Sequence, residues 1–209
     1  MHSVPDFSVE LNCDKKIVAG VDEAGRGPLC GPVVAGAVIF KRYVFDDMPL
    51  ITDSKQMTAK QRQIAYDWIT NNPDVVWAVG QCSAQEIDEM NILQASLTAM
   101  KRAVSKLNIT PEYCLVDGNK MPDKMTGRAV VHGDAVSMSI AAASIIAKQT
   151  RDALMCELSK QFPQYCWDKN AGYPTAQHLQ AIDKYGINEY YRKSYRPVKE
   201  RLEKNENDS

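Results

Sequence analysis

Two adjacent carboxylates, Asp22 and Glu23, follow the apolar run Ile17-Val18-Ala19-Gly20-Val21 and precede Ala24-Gly25-Arg26-Gly27-Pro28. Carboxylates at the end of a buried strand are costly unless solvated, paired or bound to a metal. Gly25 and Gly27 carry no Cβ, so the backbone beside the acids can approach a ligand closely. Two further acids repeat the context. Asp117 follows Tyr113-Cys114-Leu115-Val116 and precedes Gly118, and Asp134 follows Ala129-Val130-Val131-His132 and Gly133. Parallel strands of one sheet end on the same edge, so three such ends can bring three carboxylates together. A cluster of carboxylate oxygens suits Mg²⁺ or Mn²⁺, hard ions that take oxygen ligands and keep several waters.

Each acid also has a plainer reading. Asp134 stands before a helix and could be its N-cap, worth about 1 kcal/mol. Asp117-Gly118 could be a turn. Asp22-Glu23 has no comparable structural excuse, but it poses a geometric problem. Adjacent strand residues point to opposite faces. Both side chains reach one centre only if the strand breaks between them, which Gly25 and Gly27 make plausible, or if Glu23 ligates partly through its carbonyl.

The elements that must hold these groups are read from periodicity. Strands are predicted at 16–22, 33–40, 75–82, 113–116 and 129–132, and helices at 58–70, with Thr58 as N-cap, at 91–107 and at 135–160. Short connections predict an antiparallel meander for the first three strands. The segment Ile140 to Ala147 is small and apolar on every side, as in a helix pressed onto a sheet. From about 161 the chain is polar and aromatic and reads as a helical appendage to a single catalytic domain spanning 1–209. Within it, Lys184 to Lys204 carries seven basic residues, Arg192 among them, against three acids, with four tyrosines interleaved. That mixture reads as a local duplex-binding surface or as a solvated amphipathic tail.

Composition narrows the function class. The chain has 209 residues, 44% hydrophobic, and a net charge of −1, so polyanion binding must come from a local patch. Six scattered cysteines form no C-x-x-C pair, which argues against a zinc or dithiol site. No apolar run is long enough to span a bilayer, and the N-terminus lacks a signal-peptide pattern. Cytoplasmic residence is expected, with no membrane partner.

Asp22-Glu23-Ala24-Gly25-Arg26-Gly27-Pro28 resembles the signature of the type 2 ribonucleases H. Asp53-Ser54-Lys55, Val116-Asp117-Gly118, Gly133-Asp134 with Ile140 to Lys148 and Arg151-Asp152, and Gly172-Tyr173-Pro174-Thr175 match in order, from about Ile17 to Val198. The resemblance implies an α/β ribonuclease H-like fold, a mixed five-stranded sheet flanked by helices with a C-terminal helical subdomain. It implies that Asp22, Glu23, Asp117 and Asp134 are the catalytic, metal-holding acids. Two Mg²⁺ or Mn²⁺ ions about 3.5–4 Å apart would serve a metal-assisted phosphodiester hydrolysis. The implied substrates are RNA–DNA hybrid duplex and DNA containing single ribonucleotides, bound by a monomer. Gly25, Arg26 and Gly27 would contact the ribose 2′-OH, the group that separates RNA from DNA. Tyr173 would stack at the RNA–DNA junction, with Ser54, Lys55 and Lys148 as phosphate contacts. Asp152 is read as a helix charge paired with Arg151 or Lys148. A DNA-junction nuclease on the same fold and a non-catalytic nucleic-acid-binding module are the alternatives.

Overall fold

In the computed structural model, which describes residues 4–207 (the side chains of 205–207 excepted), five strands form one mixed sheet. They are β1 (Val18–Ala24), β2 (Val33–Phe40), β3 (Val75–Cys82), β4 (Tyr113–Asp117) and β5 (Gly127–Val130), in the order β3-β2-β1-β4-β5. The first three pair antiparallel, as their short connections predict, and β4 and β5 run parallel to β1. The parallel register aligns Val21 with Val116, so Asp22 and Asp117 are the next residues on neighbouring strands.

Four differences from the sequence reading bear on the site. First, β1 does not break at Asp22: it continues to Ala24, with Glu23 opposite Ala35 on β2. Second, β5 ends at Val130, and His132 turns the chain with a left-handed φ of 54°. Third, Asp134 lies in a single 3-10 turn, Gly133–Ala135, and does not cap the long helix that follows. That helix, described below as α4 (Met138–Gln161), is capped by Ser137, whose hydroxyl accepts from the Ile140 N–H. The capping reading of Asp134 is therefore corrected. Fourth, the helix read at 91–107 begins earlier, at Ala84.

The helices follow local chemistry. A four-residue helix α1 (Ser8–Leu11) carries a buried Glu10, whose carboxylate accepts from the Ser137 hydroxyl and from the N–H and hydroxyl of Ser139. The start of α4 is thus closed by the chain's own acid. Helix α2 (Ala59–Asn71) opens on a reciprocal cap between Thr58 and Gln61. Helix α3 (Ala84–Ser105) opens on the same device, Ser83 with Glu86, and is broken at Asn91, where φ is 68°. The Asn91 side chain accepts from the Leu93 and Gln94 N–H groups. The predicted start at Asn91 is thus a real cap in mid-helix, and the periodicity before it is interrupted for that reason.

The two long helices take opposite faces of the sheet. Alternation puts Gly20 and Asp22 on one face and Ala19, Val21 and Glu23 on the other. Ala19 and Val21 pack with Ala95, Ala99 and Ala103 of α3. Helix α4 crosses the glycine face so closely that a Cβ on Gly20 would stand 2.1 Å from the Ser139 carbonyl carbon, and one on Gly36 2.5 Å from the Ala143 oxygen. The small residues of 140–147, all buried, allow that approach.

Beyond α4, helices α5 (Trp167–Asn170), α6 (Ala176–Tyr185) and α7 (Arg196–Asn207) gather on an aromatic cluster. Tyr165 and Trp167 stack at 5.0 Å, and Leu29, Cys30 and Met155 belong to the same cluster. The appendage therefore sits against the loop that follows the Gly-Arg-Gly segment. Among the described residues no helix is long and apolar enough to cross a membrane.

Gly36→Ala tests the close helix–sheet contact. The added methyl must push α4 away from β2, so we expect a loss of about 1–3 kcal/mol in urea unfolding. Unchanged stability would mean that α4 does not lie on the glycines.

Candidate active site

Asp22 is 5% exposed and, among the described residues, makes one side-chain hydrogen bond, accepting at Oδ1 from the Glu23 N–H at 2.7 Å. No cation bonds to it among the described residues. Burial, then the charges of Glu23 and Asp117, push its carboxyl well above the ordinary range. Asp117 accepts from the Gly133 N–H at 2.7 Å, which ties the end of β4 to the turn carrying Asp134. Asp134 is pushed up to about 6 by burial, by the charge of Asp117 and by Asp53, which lies within hydrogen-bonding reach. These three acids gather on the α4 face of the sheet.

Glu23 is on the other face, as the unbroken strand requires. It pairs with Arg26 at 3.2 Å. Burial raises its carboxyl, Arg26 partly offsets that, and Asp117 adds to it. Glu23 and Asp117 both line a cleft of about 90 Å³, together with Arg26, Asn119 and, from α3, Ser96 and Met100. The Ser96 hydroxyl is buried there without a hydrogen-bond partner among the described residues. Glu23 therefore reaches its fellow acids around the strand edge.

A divalent cation suits this arrangement. All donors are hard carboxylate oxygens, and the buried Asp22 has no counter-charge bonded to it. No three Asp, Glu, His or Cys side chains among the described residues stand close enough to cage an ion by themselves. Mg²⁺ does not need such a cage, because it binds through one or two carboxylates and retains water. Asp22, Asp117 and Asp134 on one side and Glu23 on the other are the groups that could hold it.

Lys55 is a cation close enough for its charge to interact with Asp22, Asp117 and Asp134. Partial burial pulls its ammonium down, and Asp22, Asp53, Asp134 and Asp117 more than offset that, leaving it above its usual value. Its loop is fixed by Arg62, which donates to the carbonyls of Ser54 and Met57. Ser54 is buried, with its N–H on the Ser144 hydroxyl. Lys148 pairs with Asp152 at 2.8 Å. Asp152 is thus the helix charge expected of it, and Lys148 is occupied.

Arg26 and Gly27 are exposed beside the acids. The Tyr173 ring lies 3.4 Å from where a Cβ on Gly27 would be, and Tyr173 is 45% exposed. The Gly25–Gly27 segment and Tyr173 therefore form one surface. In sequence, His178, just after Gly172-Tyr173-Pro174-Thr175, reads either as a surface residue or as a site neighbour. It is fully buried, and burial lowers its imidazole pKa. The Trp167 indole can only donate, so Nε2 accepts from it and Nδ1–H donates to the Tyr173 carbonyl at 2.8 Å. The histidine holds the turn that presents Tyr173.

Two arginines that the sequence offers only as a candidate partner of Asp152 and as one of seven basic residues near the C-terminus, Arg151 and Arg192, are buried. Arg151 donates to the carbonyls of Pro32, Ala171 and Cys30. Arg192 donates to those of Gly25, Arg26 and Gly31. Neither pairs with a carboxylate among the described residues. Burial, then the charge of Arg192, pulls Arg151 down to about 10. Arg192 is fully buried and so leaves the basic surface read over Lys184 to Lys204. Arg196 pairs there with Glu200 and Arg201 with Asp183, which neutralises more of it.

This geometry has relatives. A family model described as Ribonuclease HII matches residues 19–198. A curated ribonuclease HII from Magnetococcus marinus is 47% identical, over 96% of this chain and 97% of its own length. The crystal structure of ribonuclease H2 from Pyrococcus horikoshii OT3 superposes with a TM-score of 0.73 at 28% identity, covering 90% of this chain and 98% of that one. A structure of Bst-RNase HIII in complex with Mn²⁺ shares the fold, with a TM-score of 0.71 at 18% identity over 97% of this chain and 71% of that one. The chain belongs to the ribonuclease HII family, endonucleases that cleave the RNA of RNA–DNA hybrids and cut DNA at embedded ribonucleotides.

Proposed function

We propose that the acids Asp22, Glu23, Asp117 and Asp134 are the catalytic set of this endonuclease and hold two Mg²⁺ or Mn²⁺ ions. One observation carries the reading. Asp22 and Asp117 are register neighbours at the end of parallel strands, with Arg26 and Gly27 exposed a few residues on and Tyr173 packed beside Gly27. The Mn²⁺ in the Bst-RNase HIII complex supports the choice of ion. Bound here, the ions would lower the pKa of an attacking water and neutralise charge on the leaving 3′ oxygen.

The chain's own residues supply position and selectivity. Gly25, Arg26 and Gly27 meet the ribose 2′-OH through backbone groups, and Tyr173 stacks on the neighbouring sugar or base. Lys55 contacts a phosphate near the acids. Ser54 contributes by holding that loop, and Lys148 reaches phosphate only on leaving Asp152. Cleavage falls on the 5′ side of the ribonucleotide and leaves 3′-OH and 5′-phosphate ends. The chain is read as a monomer acting on hybrid duplex and on DNA containing ribonucleotides.

Asp22→Asn or Asp117→Asn should each reduce cleavage of a one-ribonucleotide duplex by two orders of magnitude or more. The same substitutions should raise the melting temperature in chelator, because like-charge repulsion is relieved. Near-normal cleavage by Asp22→Asn would sink the assignment.

The raised carboxyls also set a pH dependence. Asp134 binds its proton more tightly folded than unfolded, so its contribution is present below the ordinary carboxylate range and is lost as pH rises through about 6. Metal-free protein should therefore melt at lower temperature at pH 7.5 than at pH 5, and Mg²⁺ should recover stability at the higher pH. Melts that ignore both pH and Mg²⁺ would count against a coupled acid cluster.

Tyr173→Ala should slow cleavage at a single embedded ribonucleotide more than in a continuous RNA strand, where neighbouring riboses offer further registers. Equal effects on the two substrates, measured as kcat/KM, would contradict a junction role.

A further inference from the structure

The segment that reads ribose is held from behind by one buried side chain. Arg192 is fully buried and donates to the Gly25 carbonyl at 2.6 Å and to the Arg26 carbonyl at 2.9 Å. Tyr195 donates its hydroxyl to the same Arg26 carbonyl and accepts from Arg192 at 3.0 Å. Every peptide of the described chain is trans. In a trans peptide the C=O and the following N–H point in opposite directions. Holding the carbonyls of Gly25 and Arg26 inward therefore turns the N–H groups of Arg26 and Gly27 outward. Neither N–H donates to a protein group among the described residues, and both residues are exposed beside the acids and Tyr173.

The segment carrying the clamp is itself pinned on both sides. The Arg192 N–H donates to the Leu29 carbonyl, and Cys30 bridges Tyr191. On the far side, Asp88 of α3 accepts from the N–H groups of Lys193 and Ser194 and from the Ser194 hydroxyl. A guanidinium that must bond three fixed carbonyls has one orientation available. A lysine there would keep the charge and lose the fork.

We infer that Arg192, with Tyr195, is a positioning residue for ribose discrimination: it aims the Arg26 and Gly27 N–H groups at the 2′-oxygen of the substrate. The inference rests on the reading of Gly25–Gly27 as the 2′-OH contact. A side chain that served only to stabilise the fold would slow cleavage of every substrate by the same factor. One that aims the donors changes how much the 2′-OH matters.

The test is a kinetic cycle. Single-turnover cleavage is measured on a DNA duplex with one ribonucleotide and on the same duplex with that 2′-OH replaced by 2′-fluoro, a far weaker acceptor. Wild type is compared with Tyr195→Phe, which removes one hydroxyl, and with Arg192→Lys; thermal melts confirm that each variant is folded. The 2′-OH to 2′-fluoro rate ratio should be large in wild type. It should shrink by about fivefold or more in Tyr195→Phe, of the size expected when one hydrogen bond to a buried group is lost, and further in Arg192→Lys. Ratios equal to wild type in both folded variants would overturn the positioning role while leaving the ribose reading intact. A wild type that cleaves both duplexes alike would instead overturn the ribose reading, and this inference with it.

Discussion

Like charges gather where water is scarce: Asp22 is buried at the end of β1 with Asp117 in register beside it, and Asp134 and Glu23 close by. The burial and like-charge crowding of these acids are unfavourable to the folded chain alone. The parallel pairing of β1 with β4 forces the first two acids together. The Gly133 N–H on Asp117 forces the turn that brings the third. The close seat of α4 on Gly20 and Gly36 then leaves no room for the strand ends to drift apart. The stability lost at the acids is stability that a divalent cation, held there as proposed, would return.

The acids were legible because strand ends are legible. A short apolar run that stops at Asp-Gly or Asp-Glu marks an edge, and parallel edges coincide. Asp134 was harder to read. Its helix starts only at Met138, and Ser137, three residues beyond the aspartate, is the cap. The expected break in β1 was also absent, since Glu23 can remain on the opposite face and still border Asp117 at the strand end. Arg192 was the least legible group. In sequence it is one of seven basic residues in a tyrosine-rich tail. Only the path of 190–192 across the loop at 29–31 shows that it is buried. His178 was ambiguous for the same reason, as no local pattern says that Trp167 and Tyr191 close over it.

Two kinds of positioning therefore meet at this site. Hydrogen-bond register within the sheet places the acids. The Gly25–Gly27 loop and the Tyr173 turn are placed by Arg192, Arg151 and His178, which all bond to backbone carbonyls. Carbonyls do not titrate in the range where the acids do. The loop thus keeps its shape while the charge beside it changes with protons or metal.

The Arg192 contact also spans 166 residues of sequence to Arg26 and 167 to Gly25. On a ribosome the loop is made first and its clamp nearly last. At about 5–20 residues per second that interval is roughly 10–30 s. For all of that time the nascent chain carries the acids without the clamp on the Gly25 and Arg26 carbonyls. On the ribose reading proposed above, selectivity is then the last property this polypeptide acquires during its own synthesis, later than the sheet that places the acids.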